Sequence, residues 1–202
     1  MVDTIKLYIS AAKDLSAERD FLNRSITELP VTLGWQILLS PIKEKQINKV
    51  AIREADIHLL ILGEDIRAPI GFEWYLSRQA RRNPIPFMKK GILRTPAAQA
   101  FQRDISYQTN WLPYNDLSDL RFKALQQISH YILRQDAYFA LNSSEKEVLS
   151  NFIRELEDPE PELIKDTQGV AGENSVILSR ERFTPKDGVL IKAPSDNDQS
   201  NI

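Results

Sequence analysis

The feature that most constrains the fold is a nearly uninterrupted apolar run, Ile57–Leu62 (IHLLIL), which ends at Gly63. A strand that is apolar on both faces is typical of the middle of a parallel sheet, because helices cover both sides of such a sheet. The run is too short to cross a membrane and is bounded by polar residues. It therefore predicts an α/β domain in which residues 57–62 form a central strand.

The surrounding chain supplies the alternating strands and helices that a parallel sheet requires. The patterns predict strands at 5–9, 35–39, 57–62 and 85–88, a short fifth strand at 107–112, and helices at about 15–29, 43–55, 72–82, 96–105 and 117–138. Asp14 or Ser16 is expected to cap the first helix. The alternation and the short connections predict a flavodoxin-like open parallel sheet of about five strands, with helices on both faces.

The last third of the chain is predicted to extend this domain. Residues 1–138 are assigned to the α/β domain, 139–157 to a C-terminal helix, 158–173 to a linker, 174–193 to a β-hairpin extension and 194–202 to a disordered tail. A hairpin alone is marginally stable in water, so this one is expected to pack on the main domain or on a second copy of the chain.

Composition narrows the classes of function. The chain has no cysteine, which excludes disulfides, thiolate metal sites and a thiol nucleophile. It shows neither a signal peptide nor an apolar run of about 18 residues, so we expect a cytoplasmic protein without a membrane partner. Residues 1–140 carry 19 basic and 15 acidic side chains, and residues 141–202 carry 7 and 13. This mild asymmetry indicates a small anionic ligand rather than a nucleic acid.

Several familiar catalytic signals are missing. The sequence has neither a phosphate-binding G-x-x-x-x-G-K-[ST] loop nor a G-x-G-x-x-G turn. Its two histidines, His58 and His130, fall inside the most apolar strand and inside a long helix. We interpret both as structural, so neither a metal site nor a Ser-His hydrolase is predicted.

Candidate site residues lie where the predicted strands end, because open α/β sheets bind ligands at the carboxyl ends of their strands. These candidates are Tyr8 and Ser10 at the end of the first strand, Glu64 and Asp65 after the third strand, and Glu73 at the start of the next helix. Each has a structural alternative: a core tyrosine, a turn serine, loop carboxylates, and a carboxylate that satisfies the helix dipole. As a functional group, Glu73 would be a nucleophile or an electrostatic partner for a sugar C1′ atom with oxocarbenium character.

The first strand and helix resemble a bacterial family of uncharacterised function. Its signature, [FY]-I-S-S-x-x-D-L-x-x-E-R, is similar to YISAAKDLSAER at residues 8–19. The resemblance continues in EADIHLLILGE at residues 54–64 and in the pair Glu73–Trp74, although Ala11 replaces the second serine. The family is regarded as a relative of TIR domains and of nucleoside 2-deoxyribosyltransferases, and its members are often modules of signalling-like proteins.

The relationship to the transferases implies roles for individual residues. Their first strand carries a tyrosine, which Tyr8 matches, and their nucleophilic glutamate lies in a segment that GFEWYLSRQA at residues 71–80 resembles through Glu73. The resemblance implies that Glu73 acts on the ribose carbon and that Tyr8 orients it. Asp65 would then hold sugar hydroxyls, and Arg67, where the transferases have an aspartate, would meet phosphate.

Two functional hypotheses follow. In the first, the chain is a TIR-like effector domain that cleaves or transfers an N-glycosidic bond, with NAD or a nucleoside as substrate and with neither a cofactor nor a metal. Its catalytic residues would be Glu73, Tyr8 and Asp65, and its ligand-binding residues would be Ser10, Gly63, Glu64, Arg67 and Gly71. In the second, the chain is a non-enzymatic module that self-associates or docks to a protein partner.

Overall fold

The computed structural model describes residues 4–40, 47–66 and 70–157, so the predicted linker, hairpin and tail lie outside the described residues. The strands are β1 (Thr4–Ala11), β2 (Gly34–Leu39), β3 (Ile57–Leu62), β4 (Ile85–Lys89) and β5 (Leu112–Tyr114). The helices are α1 (Ser16–Ser25), α2 (Lys49–Glu54), α3 (Ile70–Gln79), α4 (Pro96–Ser106), α5 (Leu117–Arg134), α6 (Asp136–Phe139) and α7 (Ser143–Glu157).

The five strands form one open, entirely parallel sheet in the order β2-β1-β3-β4-β5. β1 pairs with β2 on one side and with β3 on the other, and Tyr8 is the register partner of both Leu38 and His58. Every residue of β3 is buried, as its apolar sequence requires. The prediction of a flavodoxin-like parallel sheet of five strands, with residues 57–62 as a central strand, is therefore confirmed.

Helices cover both faces of the sheet because the side chains of β1 alternate between them. Ile5, Leu7 and Ile9 pack in the main core with apolar residues of α1, α5 and α7. The opposite face carries two smaller clusters, one with Tyr8 beside α2 and α3, and one with Leu60 beside α3 and α4. Polar side chains on this second face consequently become buried beneath α3.

Local sequence explains where most helices begin and which face they bury. The side chains of Asn48, Thr95 and Asp116 cap α2, α4 and α5 by accepting a hydrogen bond from the backbone three residues on. In α5, buried apolar residues recur at every fourth position, as expected for one helical stripe. They are Leu120, Ala124, Ile128 and Ile132.

Four predictions about local structure were wrong. Ser10 belongs to β1 and not to a loop, because its strand pairs with β3 as far as Ala11. Neither Asp14 nor Ser16 caps α1, whose N-cap residue Leu15 has no side-chain cap. The fifth strand begins at Leu112 and not at residue 107, because the amides of Gln108 and Thr109 still bond to Ile105 after α4.

The fourth concerns the long helix that was predicted over residues 117–138. It ends at Arg134, and the separate α6 follows. The second predicted helix, residues 43–55, is observed only as Lys49–Glu54, and its beginning lies partly outside the described residues.

Candidate functional site

The most unusual polar group in the described part of the chain is the carboxyl group of Glu73, which has no solvent exposure. Three hydroxyl groups donate hydrogen bonds to it. The Tyr8 hydroxyl lies 2.8 Å from Oε1, and the Ser10 hydroxyl lies 2.5 Å from Oε2. The Ser40 hydroxyl lies 2.9 Å from Oε1 and 3.0 Å from Oε2. Both oxygens of the carboxyl group are therefore fixed in position.

The fold brings these groups together from three segments of chain. Tyr8 and Ser10 are two residues apart in β1, so their side chains point to the same face of the sheet. Ser40 directly follows β2, and its amide continues the pairing with β1 by bonding to the carbonyl oxygen of Ile9 at 2.9 Å. Glu73 lies in the first turn of α3, which packs on this face.

His58 extends the network through Ser10. Its Nε2 atom lies 2.7 Å from the Ser10 hydroxyl oxygen, and its ring meets the ring of Tyr8 edge-on, with centroids 5.4 Å apart. Burial lowers the pKa of His58 to about 3, so the ring is neutral near pH 7. Because Ser10 donates its proton to Glu73, Nε2 must carry the imidazole proton. Nδ1 is buried without a hydrogen-bond partner among the described residues.

Burial also shifts the pKa values of the two acidic groups in the cluster, Glu73 and Tyr8. Burial raises the pKa of Glu73, and the hydrogen bonds from Ser10, Tyr8 and Ser40 act in the opposite direction because they stabilise the carboxylate. The pKa of Tyr8 is also raised, first by burial and then by the nearby charge of Glu73. Tyr8 is therefore a protonated donor near neutral pH. The cluster can hold the carboxylate of Glu73 in a fixed orientation. Its raised pKa nevertheless means that the protonated form of Glu73 is more favoured in the protein than in water.

Within the described ranges, the other predicted site residues form no side-chain hydrogen bond with Glu73. Asp65 accepts hydrogen bonds from the Thr95 hydroxyl at 2.7 Å and from the amide of Ile66 at 2.9 Å. Glu64 is exposed, and Gly71 lies inside α3. Arg67 is outside the described residues. The structure thus brings together Glu73, Tyr8 and Ser10, and it places Asp65 beside the start of α4.

Gly63 has a packing role at the end of β3. A β-carbon at this position would lie 2.5 Å from Oδ2 of Asp14 and 2.9 Å from two side-chain atoms of Leu15. The same Oδ2 atom accepts a hydrogen bond from the amide of Glu64 at 3.2 Å. Gly63 therefore allows the loop after β1 to pack against the end of β3.

A separate cavity of about 390 Å³ lies at the carboxyl ends of β1, β3 and β4. Its lining consists of Asp14, Leu15, Glu64, Lys89, Ile92 and Leu93. Lys89 forms an ion pair of 2.6 Å with Glu18, whose side chain is only 6% exposed. Glu73, Tyr8 and Ser10 do not line this cavity. These three residues are instead in direct contact.

Sequence analysis missed two members of the cluster. Ser40 could have been identified because it follows β2 directly, and a parallel sheet places that position beside the end of β1. His58 was interpreted as a structural histidine, although its position opposite Tyr8 in the sheet brings it within reach of Ser10. Only the register of the sheet distinguishes a purely structural His58 from one that bonds to Ser10.

Comparisons of the chain with protein-family models, curated proteins and solved structures find no match. The described residues contain no helix that is long and apolar enough to span a bilayer. Within the same ranges, the structure shows no group of three or more His, Cys, Asp or Glu side chains arranged to hold a metal ion. The geometry around Glu73 is therefore the feature of the molecule that bears on its function.

Proposed function

We propose that this protein cleaves or transfers the N-glycosidic bond of a nucleoside or of a nucleotide such as NAD, with Glu73 as the group that faces the sugar C1′ atom. The observation that carries the proposal is the set of three hydroxyl groups that orient both oxygens of Glu73. A preorganised carboxylate is suited to stabilise positive charge that develops at C1′. The Tyr8–Glu73 hydrogen bond supports the proposal further, because the resemblance to deoxyribosyltransferases implied that pairing.

In the proposed reaction, the bond between C1′ and the base nitrogen breaks, and the base leaves with the electron pair. A carboxylate oxygen of Glu73 forms a bond to C1′, and water or a second base then displaces it. Glu73 must be ionised to act in this way, so activity is expected to rise with pH through its raised pKa. Because the carboxyl group has no solvent exposure, a covering segment must also move aside to admit substrate while Tyr8 and Ser10 keep their hydrogen bonds to Glu73.

The test is to incubate the purified chain with NAD and a panel of nucleosides and to measure the released base by chromatography. The wild type should release base from at least one substrate, and Glu73→Gln should abolish the release. Glu155→Gln provides the matched control, because Glu155 is an exposed carboxylate on α7 and belongs to neither the catalytic nor the ligand-binding set. Melting temperatures of both variants show whether loss of activity is separate from loss of folding. Equal loss in Glu155→Gln, or full activity in Glu73→Gln, would contradict the proposal.

The second candidate is a non-enzymatic module that self-associates or docks to a protein partner. It is favoured by the complete burial of Glu73, which is also what a purely structural polar cluster requires. It is favoured as well by two exposed aromatic side chains on α3, Phe72 at 41% and Tyr75 at 53% exposure. If the wild type turns over no nucleotide in the panel and its solution mass exceeds that of one chain, this candidate replaces the enzymatic one.

A further inference from the structure

Two adjoining cavities lie at the amino ends of β3, β4 and β5, and we call them together the amino-edge cleft. Their volumes are about 260 and 570 Å³. They share four lining residues, which are Asn83, Ile85, Tyr131 and Gln135. The cleft is formed by the segment between α3 and β4 and by the end of α5.

The amino-edge cleft carries an excess of positive charge. Arg81 and Arg82 line its smaller cavity, and Arg134 lines the larger one. Asp56 is the only carboxylate among the lining residues. It already accepts hydrogen bonds from the amide of Lys6 at 2.9 Å and from the Tyr138 hydroxyl at 3.1 Å. Within the described residues, none of the three guanidinium groups forms an ion pair or a hydrogen bond.

These arginines are not needed to satisfy the ends of the neighbouring helices. After α3, the backbone amides of Arg82 and Arg81 bond to the carbonyl oxygens of Ser77 and Arg78, each at 3.0 Å. After α5, the amide of Gln135 bonds to the carbonyl oxygens of Tyr131 and Ile132. Because the main chain supplies these bonds, the guanidinium groups of Arg81 and Arg82 are free to bind a ligand.

The backbone at Arg81 provides an independent observation. Its φ angle is +58°, in the left-handed region where a helix usually ends with glycine. A residue with a β-carbon is strained there, and such strain is concentrated at functional sites. Arg81 and Ala140 are the two residues other than glycine that have a positive φ angle in the described part of the chain, and of these Arg81 lines the cleft.

We propose that the amino-edge cleft binds a small organic phosphate, and that Arg81 and Arg82 hold the phosphate oxygens. Guanidinium groups match phosphate in charge and in the geometry of their donors. A phosphate dianion also accepts more hydrogen bonds than one carboxylate, and the lining offers further donors in Asn83 and Tyr131. The larger cavity, with Arg134, receives the rest of the molecule. Glu73 does not line this cleft, but His58, which bonds to Ser10 in the Glu73 cluster, does. The proposed binding does not depend on the glycosidic reaction.

The experiment titrates the full chain at low salt with inorganic phosphate, pyrophosphate, glycerol 3-phosphate and citrate, with calorimetry as the readout. Arg82→Gln should weaken binding of the phosphates by about tenfold or more, because it removes a charge-assisted hydrogen bond. Arg81→Gly should weaken binding similarly while the melting temperature stays the same or rises, because glycine relieves the strained backbone. Arg103→Gln is the matched control, since it removes one exposed positive charge from α4.

The proposal is supported if both cleft variants weaken binding while Arg103→Gln and Glu73→Gln leave it unchanged. Absence of binding of every phosphate to the wild type would overturn it. Equal weakening by Arg103→Gln would also overturn it, because the effect would then reflect overall charge. Tighter binding of citrate than of any phosphate would show that the cleft selects carboxylates instead.

Discussion

Two buried residues, Glu73 and His58, make opposite contributions to the dependence of stability on pH. The folded pKa of Glu73 is raised, so its contribution is complete below its ordinary value of 4.5 and is lost as pH rises through the folded value. The folded pKa of His58 is lowered to about 3, so its contribution is complete above 6.5 and is lost as pH falls from 6.5 towards 3. A fall in pH therefore favours the folded state through Glu73 and disfavours it through His58.

The His58 contribution can be isolated by substitution. We expect the wild type to lose on the order of 2–3 kcal/mol more stability than His58→Gln between pH 7 and pH 4, since each unit of pKa shift corresponds to about 1.4 kcal/mol. Glutamine does not titrate and can still bond to Ser10. Urea unfolding at the two pH values measures the difference, and His130→Gln, at a partly exposed site on α5, is the control. Parallel losses in wild type and His58→Gln would refute a neutral, buried His58.

Two glycines are expected to respond to alanine in opposite directions. Gly63→Ala should destabilise the protein by about 1–3 kcal/mol, because the new methyl group would overlap Asp14 and Leu15. Gly71→Ala should stabilise it by up to about 1 kcal/mol, because its nearest neighbours lie 3.7 Å or more away and the position is helical. Thermal unfolding of the two variants checks the contrast, and similar melting temperatures would contradict it.

At the scale of residues, the sequence predicted which side chains lie close together only where the direction of the strands is enough to place them. Tyr8, Ser10 and Glu73 were expected near one edge of the sheet, and they are in contact. The burial of Glu73 could not be foreseen, because it depends on how closely α3 packs against β1. Asp65 was expected to join this group, but its loop continues towards α4, where the Thr95 hydroxyl binds it.

At the scale of elements, α7 contributes to the core beneath the sheet. Leu149 on α7 is fully buried in the main core. Leu149→Ala should therefore cost about 2–5 kcal/mol of unfolding free energy. Val148→Ala is the control on the same helix, because Val148 is 45% exposed and should change stability little. Denaturant unfolding distinguishes the two, and equal small losses would mean that α7 is only attached to the surface.

Elements with a long or continuous pattern were predicted best. β3 and the stripe of α5 were evident because every position, or every fourth position, is apolar. β5 has only three residues, and the segment before it has no pattern that separates the end of a helical turn from a strand. Short elements are determined by their neighbours more than by their own composition, so sequence alone placed β5 too early.

At the scale of the whole molecule, the order of the strands followed from a few general rules. Two strongly apolar strands, short connections and the right-handed crossover preference leave few arrangements, and the observed order is among them. The same topology places Glu73 near the carboxyl ends of the central strands and the amino-edge cleft at the opposite edge. The two proposed sites therefore use different ends of one sheet, and substitutions can test each separately.

The central position of β1 also determines when the fold can be completed as the ribosome makes the chain. β1 is synthesised before its partners β2 and β3, which end only at Leu39 and Leu62. Until then its apolar residues and one or both of its hydrogen-bonding edges remain unpaired, a state that favours aggregation. The later strands each add to an edge that already exists. The most hazardous interval in the synthesis of this domain is thus the one between the end of β1 at Ala11 and the end of β3 at Leu62.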